Sequence, residues 1–206
     1  MKELPLFPLN GIVLFPGSLL PLHIFEPKYR SMLEDVIQGD RRFGVINVSN
    51  DDVTADVGCI AEIVQVEKFG DGSSNIISVG VERFKVVRKL ETSLYPRAFT
   101  QIVKENASST ELETDLTKVA SLLTDVFHLM GRLNRAPADA SLLPKDPKVL
   151  SFWIASWLPT LPETKQSLLE IRDTKVRLAR EISILDDFRN QLRVRVAIED
   201  VFENVR

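Results

Sequence analysis

Apolar residues dominate the first 25 positions of the chain, but prolines interrupt them at short intervals. The stretch LPLFPLNGIVLFPGSLLPLHIF, residues 4–25, has prolines at positions 5, 8, 16 and 21. Proline lacks an amide donor and disfavours helical geometry in the residue before it, which argues against a membrane helix. The stretch is also unlike a secretory signal peptide, since Lys2 is the one basic residue before the apolar run. The pattern predicts two extended segments, residues 12–15 and 19–24, joined by a turn at Pro16-Gly17.

The rest of the first half alternates short apolar runs with turn residues, which is typical of β structure. One helix is predicted, because apolar residues recur at helical spacing between Pro27 and Gly39. Strands are predicted over residues 43–48, 59–68, 76–87 and 95–103, with a hairpin around the Gly-rich loop 70–75. Many short strands with one helix indicate a small barrel or sandwich rather than a parallel sheet.

The second half of the chain has helical periodicity. Thr110 with Glu113 forms a capping-box pattern, which predicts a helix that runs to about residue 131. A proline-punctuated loop is predicted over residues 135–146. Asp146 before Pro147 predicts the start of a strongly apolar helix, and two prolines at 159 and 162 are expected to end it.

A last long helix is predicted after Asp173, which can cap it. Apolar residues recur there every seven positions, at 171, 178, 185 and 192, but Lys175 and Arg189 interrupt the adjoining row. We therefore expect this helix to pack against helices of its own chain. A homodimer formed through this helix is the alternative. The change of period predicts a β domain over residues 1–106 and a helical domain over residues 107–206.

Composition and charge narrow the classes of function. The 206 residues are 44% hydrophobic and 27% charged, as in an ordinary soluble protein. The net charge of −3 argues against nucleic acid as a general partner, which needs clustered Lys and Arg. Cys59 is the single cysteine and excludes an intramolecular disulfide. Without a targeting signal or a membrane span, we expect a cytoplasmic location and no membrane partner.

The sequence lacks the motifs of common catalytic and cofactor sites. No P-loop, dinucleotide fingerprint, H-E-x-x-H or G-x-S-x-G pattern occurs. His23 and His128 are the two histidines, and their separation is not metal-ligand spacing. The sequence therefore predicts no enzymatic activity, no cofactor and no metal site.

Two alternatives rest on individual residues. The basic run from Arg83 to Lys89 would suit a phosphate backbone, since Arg83 and Lys85 share a strand face, so RNA binding is the second hypothesis. A hydrolase with an unrecognised site around His23 or Cys59 is the third. Cys59 better fits a small buried hydrophobe, because its acidic sequence neighbours would oppose a thiolate.

Three stretches of the chain carry a family pattern. They are LPLFPLNGIVLFPGSLLPLHIFEPKYRSML, then GCIAEIVQVEKFGDGSSNIISVGVERFKVV, and finally VLSFWIASWLPTLPETKQSLLEIRDTKVRLAREISIL. The second has a G-x-x-A-x-I start, a D-G turn and a G-x-x-R close, and the third has a K-Q-x-L-L-E core at residues 165–170. Together they resemble the N-terminal domain of Lon proteases, particularly its stand-alone bacterial form, in the family's order and over nearly the whole chain.

The resemblance implies an α+β fold, in which a PUA-like small β-barrel with one short helix precedes a helical bundle. In Lon proteases this region takes part in substrate recognition and assembly, while ATP hydrolysis and proteolysis reside in later domains. It implies a non-catalytic module here, without ATPase or protease domains. The expected partner is a polypeptide substrate or a partner protein.

The family has no sharp motif for substrate contact, so the site prediction stays with the opening stretch that matches best. Short proline-rich strands leave backbone groups that an extended peptide can pair with. The predicted peptide-binding residues are Phe15, His23, Phe25, Glu26, Tyr29 and Arg30. We also expect Glu26 to pair with Arg30 one helical turn on. The alternative is that the phenylalanines simply fill the interior.

Overall fold

The computed structural model describes residues 1–49, 51, 53–91, 94–106, 113–133 and 143–203. Contacts divide the chain into two compact units, one of residues 1–104 with 160–172 and one of residues 105–159 with 173–206. The elements in chain order are β1 Lys2–Asn10, β2 Leu19–Ile24, α1 Pro27–Gln38, β3 Arg42–Val48, β4 Val57–Lys68, β5 Ser74–Leu90, β6 Arg97–Ile102, α2 Glu113–Arg132, α3 Pro147–Trp157, α4 Pro162–Glu170 and α5 Thr174–Glu203. The predicted α+β class is confirmed. The domain boundary at 106/107 stays a prediction.

The strands of the first unit form one sheet in the order β2-β5-β4-β3-β1-β6, and β5 also pairs with β6. Five strands therefore form a ring of hydrogen-bonded neighbours, and β2 is attached outside it along β5. The predicted hairpin is the antiparallel pair β4–β5, whose register runs from Val57↔Lys85 to Lys68↔Ser74. One pair, β1 with β3, is parallel, which the sequence pattern did not indicate.

The prediction for the first 15 residues is wrong in one respect. The strand there is β1, whereas residues 12–15 form no strand. Pro5 and Pro8 fit into β1 because residues 2–5 pair with β6 and residues 6–10 pair with β3. Each half of β1 thus has one partner strand in the described part of the chain, and a proline is tolerated where a strand is paired on one side.

Aromatic rings fill the interior of the first unit. Phe15, Phe43 and Phe84 are fully buried. The ring of Phe84 lies against Gly44 and Gly58, where an added Cβ would come within 2.6 and 2.7 Å of it. These two glycines therefore make room for the ring between neighbouring strands.

The predicted helix starts are confirmed where the structure describes them. α1 begins after Glu26 and ends at Gly39. Asp146 accepts a hydrogen bond from the Val149 amide at 2.9 Å, and Asp173 accepts from the Lys175 amide at 2.8 Å. Pro162 does more than end α3, because it is also at the start of α4, where its missing N–H has no helical partner to lose.

In the second unit, α5 packs against α2 and α3. The heptad residues Leu178, Leu185 and Leu192 are fully buried, which confirms that this helix packs against its own chain. The first residue of the predicted heptad series, Ile171, precedes α5 and follows α4. Thr110 and most of the predicted loop 135–146 lie outside the described residues.

Across the residues that the structure describes, no helix combines the length and the apolar character needed to cross a bilayer.

Candidate peptide-binding surface

β2 is an edge strand of the sheet. Its neighbour among the described strands is β5, in an antiparallel register from Leu19↔Val79 to Ile24↔Ser74. The outer side of an edge strand presents backbone N–H and C=O groups to which an extended chain can bind. Pro21 lies within β2, and an edge position is where a sheet tolerates proline. β2 therefore has the geometry for strand addition.

A cleft of about 340 Å³ lies between β1 and the junction of β2 with α1. Its lining combines residues 7–10 of β1 with residues 22–26 and Tyr29. Phe7 and Tyr29 are largely buried, and their ring centroids are 4.3 Å apart. The cleft thus joins an aromatic wall to the carboxylate of Glu26.

A second cleft of about 450 Å³ is formed by β2 with β4 and β5. Its lining consists of Pro21, Leu22, His23, Gln65, Glu67, Asn75, Ile76 and Ile77. Leu22 and His23 line both clefts. The two clefts therefore meet at β2, within reach of any chain that pairs with this strand.

Three rings form an aromatic cluster at the end of β2, namely His23, Phe25 and Phe69. The His23 and Phe25 centroids are 5.9 Å apart with planes at 23°, and Phe69 lies 6.3 Å from His23. Phe25 is 58% exposed and Phe69 is 40% exposed. Aromatic rings that remain this accessible offer a large contact area at low entropic cost.

Strand register fixes the orientation of the His23 ring. His23 pairs with Asn75 across β2–β5, and Asn75 pairs with Glu67 across β4–β5. Nδ1 of His23 lies 2.8 Å from Oδ1 of Asn75, while Nδ2 of Asn75 donates to Oε2 of Glu67 at 3.4 Å. Because the amide oxygen is an acceptor, Nδ1 carries the proton in this arrangement. These hydrogen bonds hold the His23 ring beside Phe25.

The structure brings four of the six predicted residues together. His23, Phe25, Glu26 and Tyr29 all line the cleft beside β1. Phe15 lies elsewhere and is fully buried, so its side chain fills the interior.

The expected ion pair between Glu26 and Arg30 is replaced by other contacts. Glu26 pairs with Lys28, whose Nζ lies 3.4 Å from Oε2. Arg30 donates to the carbonyl oxygen of Asp71 at 3.0 Å, which ties α1 to the hairpin turn. Arg30 therefore helps to position the turn that follows Phe69.

Sequence reasoning missed Phe69 and Leu22 as members of this surface. Phe69 directly precedes the Gly70-Asp-Gly turn, and an apolar ring next to such a polar turn was the available signal. The register places this turn beside the end of β2, since Ser74 pairs with both Ile24 and Lys68. That adjacency depends on pairing between distant strands.

Cys59 is confirmed as a buried residue. It is a free cysteine with no exposed area, and burial raises the pKa of its thiol to about 12. A thiol protonated at neutral pH is a poor nucleophile. The environment of Cys59 therefore gives no support to the hydrolase hypothesis.

The prediction that Arg83 lies on an exposed basic strand face is wrong. Arg83 is only 3% exposed. Its guanidinium donates to the carbonyl oxygens of Leu169 and Ile171 at 2.5 and 2.6 Å. The RNA-binding hypothesis loses this residue, because its donors are occupied by the end of α4 instead of facing a phosphate.

Among the described residues, no group of three or more His, Cys, Asp and Glu side chains is arranged to hold a metal ion.

Comparison with known families gives one match over most of the chain. The family described as the ATP-dependent protease La (LON) substrate-binding domain matches residues 3–187. Lon protease 2 of Myxococcus xanthus is 28% identical in an alignment of 202 positions that covers 94% of this chain and 24% of that protein. Lon protease 2 of Herpetosiphon aurantiacus is 30% identical in an alignment of 186 positions that covers 86% of this chain and 23% of that protein. The chain spans about a quarter of the length of these relatives.

Two solved structures share the fold. A Lon N-terminal domain protein from Xanthomonas campestris has a TM-score of 0.66 at 24% identity, covering 89% of this chain and 98% of that one. The N-terminal domain of a Mycobacterium avium complex Lon protease has a TM-score of 0.67 at 18% identity, covering 90% and 99%. At these identities the likeness concerns the fold.

Proposed function

Since this chain belongs to the LON substrate-binding domain family, we propose that it is a non-catalytic module that binds polypeptide segments. The relatives named as proteases are about four times as long, so the proposal concerns recognition of a polypeptide and includes neither ATP hydrolysis nor peptide-bond cleavage. The ring of strands supports a finer assignment of the first unit as a PUA-like barrel. The proposal includes a cytoplasmic location, because a chain with a single cysteine has no intramolecular disulfide that would require an oxidising compartment.

The observation that carries the proposal is the outer edge of β2, which pairs with no further strand in the described part of the chain and lies beside exposed apolar side chains. Leu19 and Phe25, at the start and just past the end of β2, are 68% and 58% exposed. Strand addition supplies backbone hydrogen bonds of little sequence preference, and pockets for alternate side chains supply selectivity. The clefts at either side of β2 suit those alternate side chains. An extended, apolar segment of an unfolded protein fits this surface.

The charge of the surface favours a polypeptide over RNA. Glu26 lines one cleft and Glu67 lines the other. A phosphate backbone would meet these carboxylates as like charges, whereas an apolar peptide has no such penalty. The proposed ligand is therefore neutral or basic and partly apolar.

Binding of an unfolded protein tests the proposal. We expect fluorescence anisotropy to show binding of fluorescein-labelled apocytochrome c, a basic chain that stays unfolded without its haem. Phe25→Ser should weaken this binding about tenfold or more, since removal of a central aromatic contact costs more than about 1.4 kcal/mol. Val87→Ser is the matched control, because Val87 is exposed on β5 beyond the segment that pairs with β2.

Both variants must keep the circular dichroism spectrum and melting temperature of the unaltered chain. Equal affinity of Phe25→Ser and the unaltered chain would contradict the proposed surface. Binding of single-stranded RNA with a steep salt dependence, in the absence of peptide binding, would favour the RNA hypothesis instead.

A further inference from the structure

The C-terminal part of α5 has an exposed apolar stripe, which consists of Val194, Ile198, Val201 and Phe202. These side chains are between 51% and 68% exposed. Their spacing of four, three and one places them on one face of the helix. Leu192 and Val196, on the opposite face, are buried in the second unit. This part of α5 thus has two apolar faces, and the face that carries the stripe is not packed against any described residue.

The stripe differs from the heptad residues that suggested a homodimer from the sequence. Those residues are buried against α2 and α3 within the chain. They are not accessible to a second molecule, so an association through α5 must use another face. The stripe is the apolar face that remains.

Charges beside the stripe are arranged in a self-complementary way. Arg195 and Glu199 are exposed and flank it on the same side, one helical turn apart. When two copies of a helix run antiparallel about a two-fold axis, residues that flank the seam on the same side face each other. An axis near Ala197 brings Arg195 of one copy opposite Glu199 of the partner subunit, and symmetry repeats the pair. A parallel arrangement loses this match.

We propose that α5 pairs antiparallel with α5 of a second copy of this chain, through the stripe and two symmetric Arg195–Glu199 pairs. The pairing is independent of the proposed peptide surface. Residues 194–202 cover about 13 Å of helix, so the contact is small and the dimer is weak, with a dissociation constant in the micromolar range.

Sedimentation equilibrium over a range of concentrations tests the association. The unaltered chain should pass from monomer to dimer, and Ile198→Glu should weaken the dimer at least about a hundredfold, since two charges enter an apolar seam. Val176→Glu is the matched control. Val176 is also exposed on α5 but lies 18 residues before Val194, the first residue of the stripe, which is about 27 Å along the same helical face.

Charge exchange tests the antiparallel geometry. Arg195→Glu alone and Glu199→Arg alone should each weaken the dimer about tenfold, because like charges then meet across the seam. An equal mixture of the two variants should associate again, since each Glu then faces an Arg in trans. Helicity is compared by circular dichroism, which separates this effect from changes within one helix.

A chain that remains monomeric at its highest soluble concentration would overturn the proposal. A dimer that survives Ile198→Glu would also overturn it, and so would a mixture of charge variants that fails to associate while the unaltered chain does.

Discussion

Glu181 is a carboxyl group buried in the second unit without an exposed surface. One oxygen accepts a hydrogen bond from Ser151 at 2.9 Å, and Ser151 in turn accepts from Nε of Arg177 at 2.7 Å. The other oxygen, Oε2, has no hydrogen-bond partner among the described residues. The Arg177 guanidinium also faces Glu105, 3.4 Å away. Burial outweighs these contacts and raises the pKa of Glu181 to about 8 from its usual 4.5.

This raised pKa predicts a pH-dependent stability. Between pH 4.5 and about 8 the folded chain holds a proton that the unfolded chain has released. The free energy of unfolding therefore decreases as pH rises through this window. Glu181→Gln removes the effect and should be more stable relative to the unaltered chain at pH 8 than at pH 5, by a difference on the order of 1–4 kcal/mol.

Urea unfolding of both proteins at pH 5, 6.5 and 8 measures this difference. Ser183→Ala is the control, because Ser183 is exposed on the same helix and does not titrate. A difference between Glu181→Gln and the unaltered chain that is independent of pH would contradict the assignment.

Individual residues show where sequence reasoning fails. The burial of Cys59 followed from its place at the start of an apolar strand. Arg83 was misjudged because its acceptors are backbone carbonyls 86 and 88 residues further along the chain. Every residue has a backbone carbonyl, so the sequence around residues 169 and 171 does not indicate such a contact. Phe15 and Phe25 look alike in sequence, yet one is buried and the other exposed.

At the scale of elements, Arg83 caps the end of α4. The final carbonyls of a helix have no partner within it, and a guanidinium that donates to them satisfies them and favours the negative end of the helix dipole. Leu169 is in the last turn of α4 and Ile171 directly follows the helix. β5 thereby anchors a helix that lies far away in the sequence.

Replacement of Arg83 tests this anchor. Arg83→Ala removes the guanidinium that donates to the carbonyl oxygens of Leu169 and Ile171 and should lower the free energy of unfolding by about 2–4 kcal/mol. Arg83→Lys should recover part of the loss, because a single ammonium cannot reproduce the planar fork. Denaturant unfolding gives the stability, and hydrogen exchange of the α4 amides shows whether the loss is local.

Lys85→Ala is the control for this prediction, since Lys85 is exposed two residues further along β5. It should change stability by less than about 0.5 kcal/mol. An Arg83→Ala protein as stable as this control would show that the cap is unimportant.

Elements were predictable where a local signal marks their ends. The bounds of β2 and α1 followed from the turn at Pro16-Gly17, the Glu26-Pro27 start and the glycine at 39. β1 was missed because its two prolines disfavour a strand. Its first half pairs with β6 and its second half with β3, and this change of partner depends on the assembled sheet. α4 was missed because Pro162 ends one helix and starts the next.

At the scale of the molecule, two groups of neighbouring exposed apolar side chains lie among the described residues. One is β2 with the aromatic cluster in the first unit, and the other is the stripe on α5 in the second. Patches of this kind mark interaction surfaces in soluble proteins. The account assigns the first to polypeptides and the second to another copy of the chain.

The order of a β-rich half and a helical half was predictable from the change in periodicity. The sequence did not indicate that α4 groups with the strands. Its contacts explain the grouping, since Gln166 donates to the carbonyl oxygen of Val57 at 3.0 Å and Arg83 reaches Leu169. Four of the six predicted peptide-binding residues line one cleft because they lie close together in sequence, whereas Phe69 joins them only through the sheet.

The most direct test of the central claim is amide-resolved NMR of the nitrogen-15-labelled chain during titration with unlabelled apocytochrome c, the same basic, unfolded chain. The account predicts that signals of residues 19–26 and of the turn around residues 67–75 shift or broaden first. Changes that begin elsewhere, or an unaltered spectrum at saturating ligand, would contradict the claim that this edge of the sheet binds polypeptides.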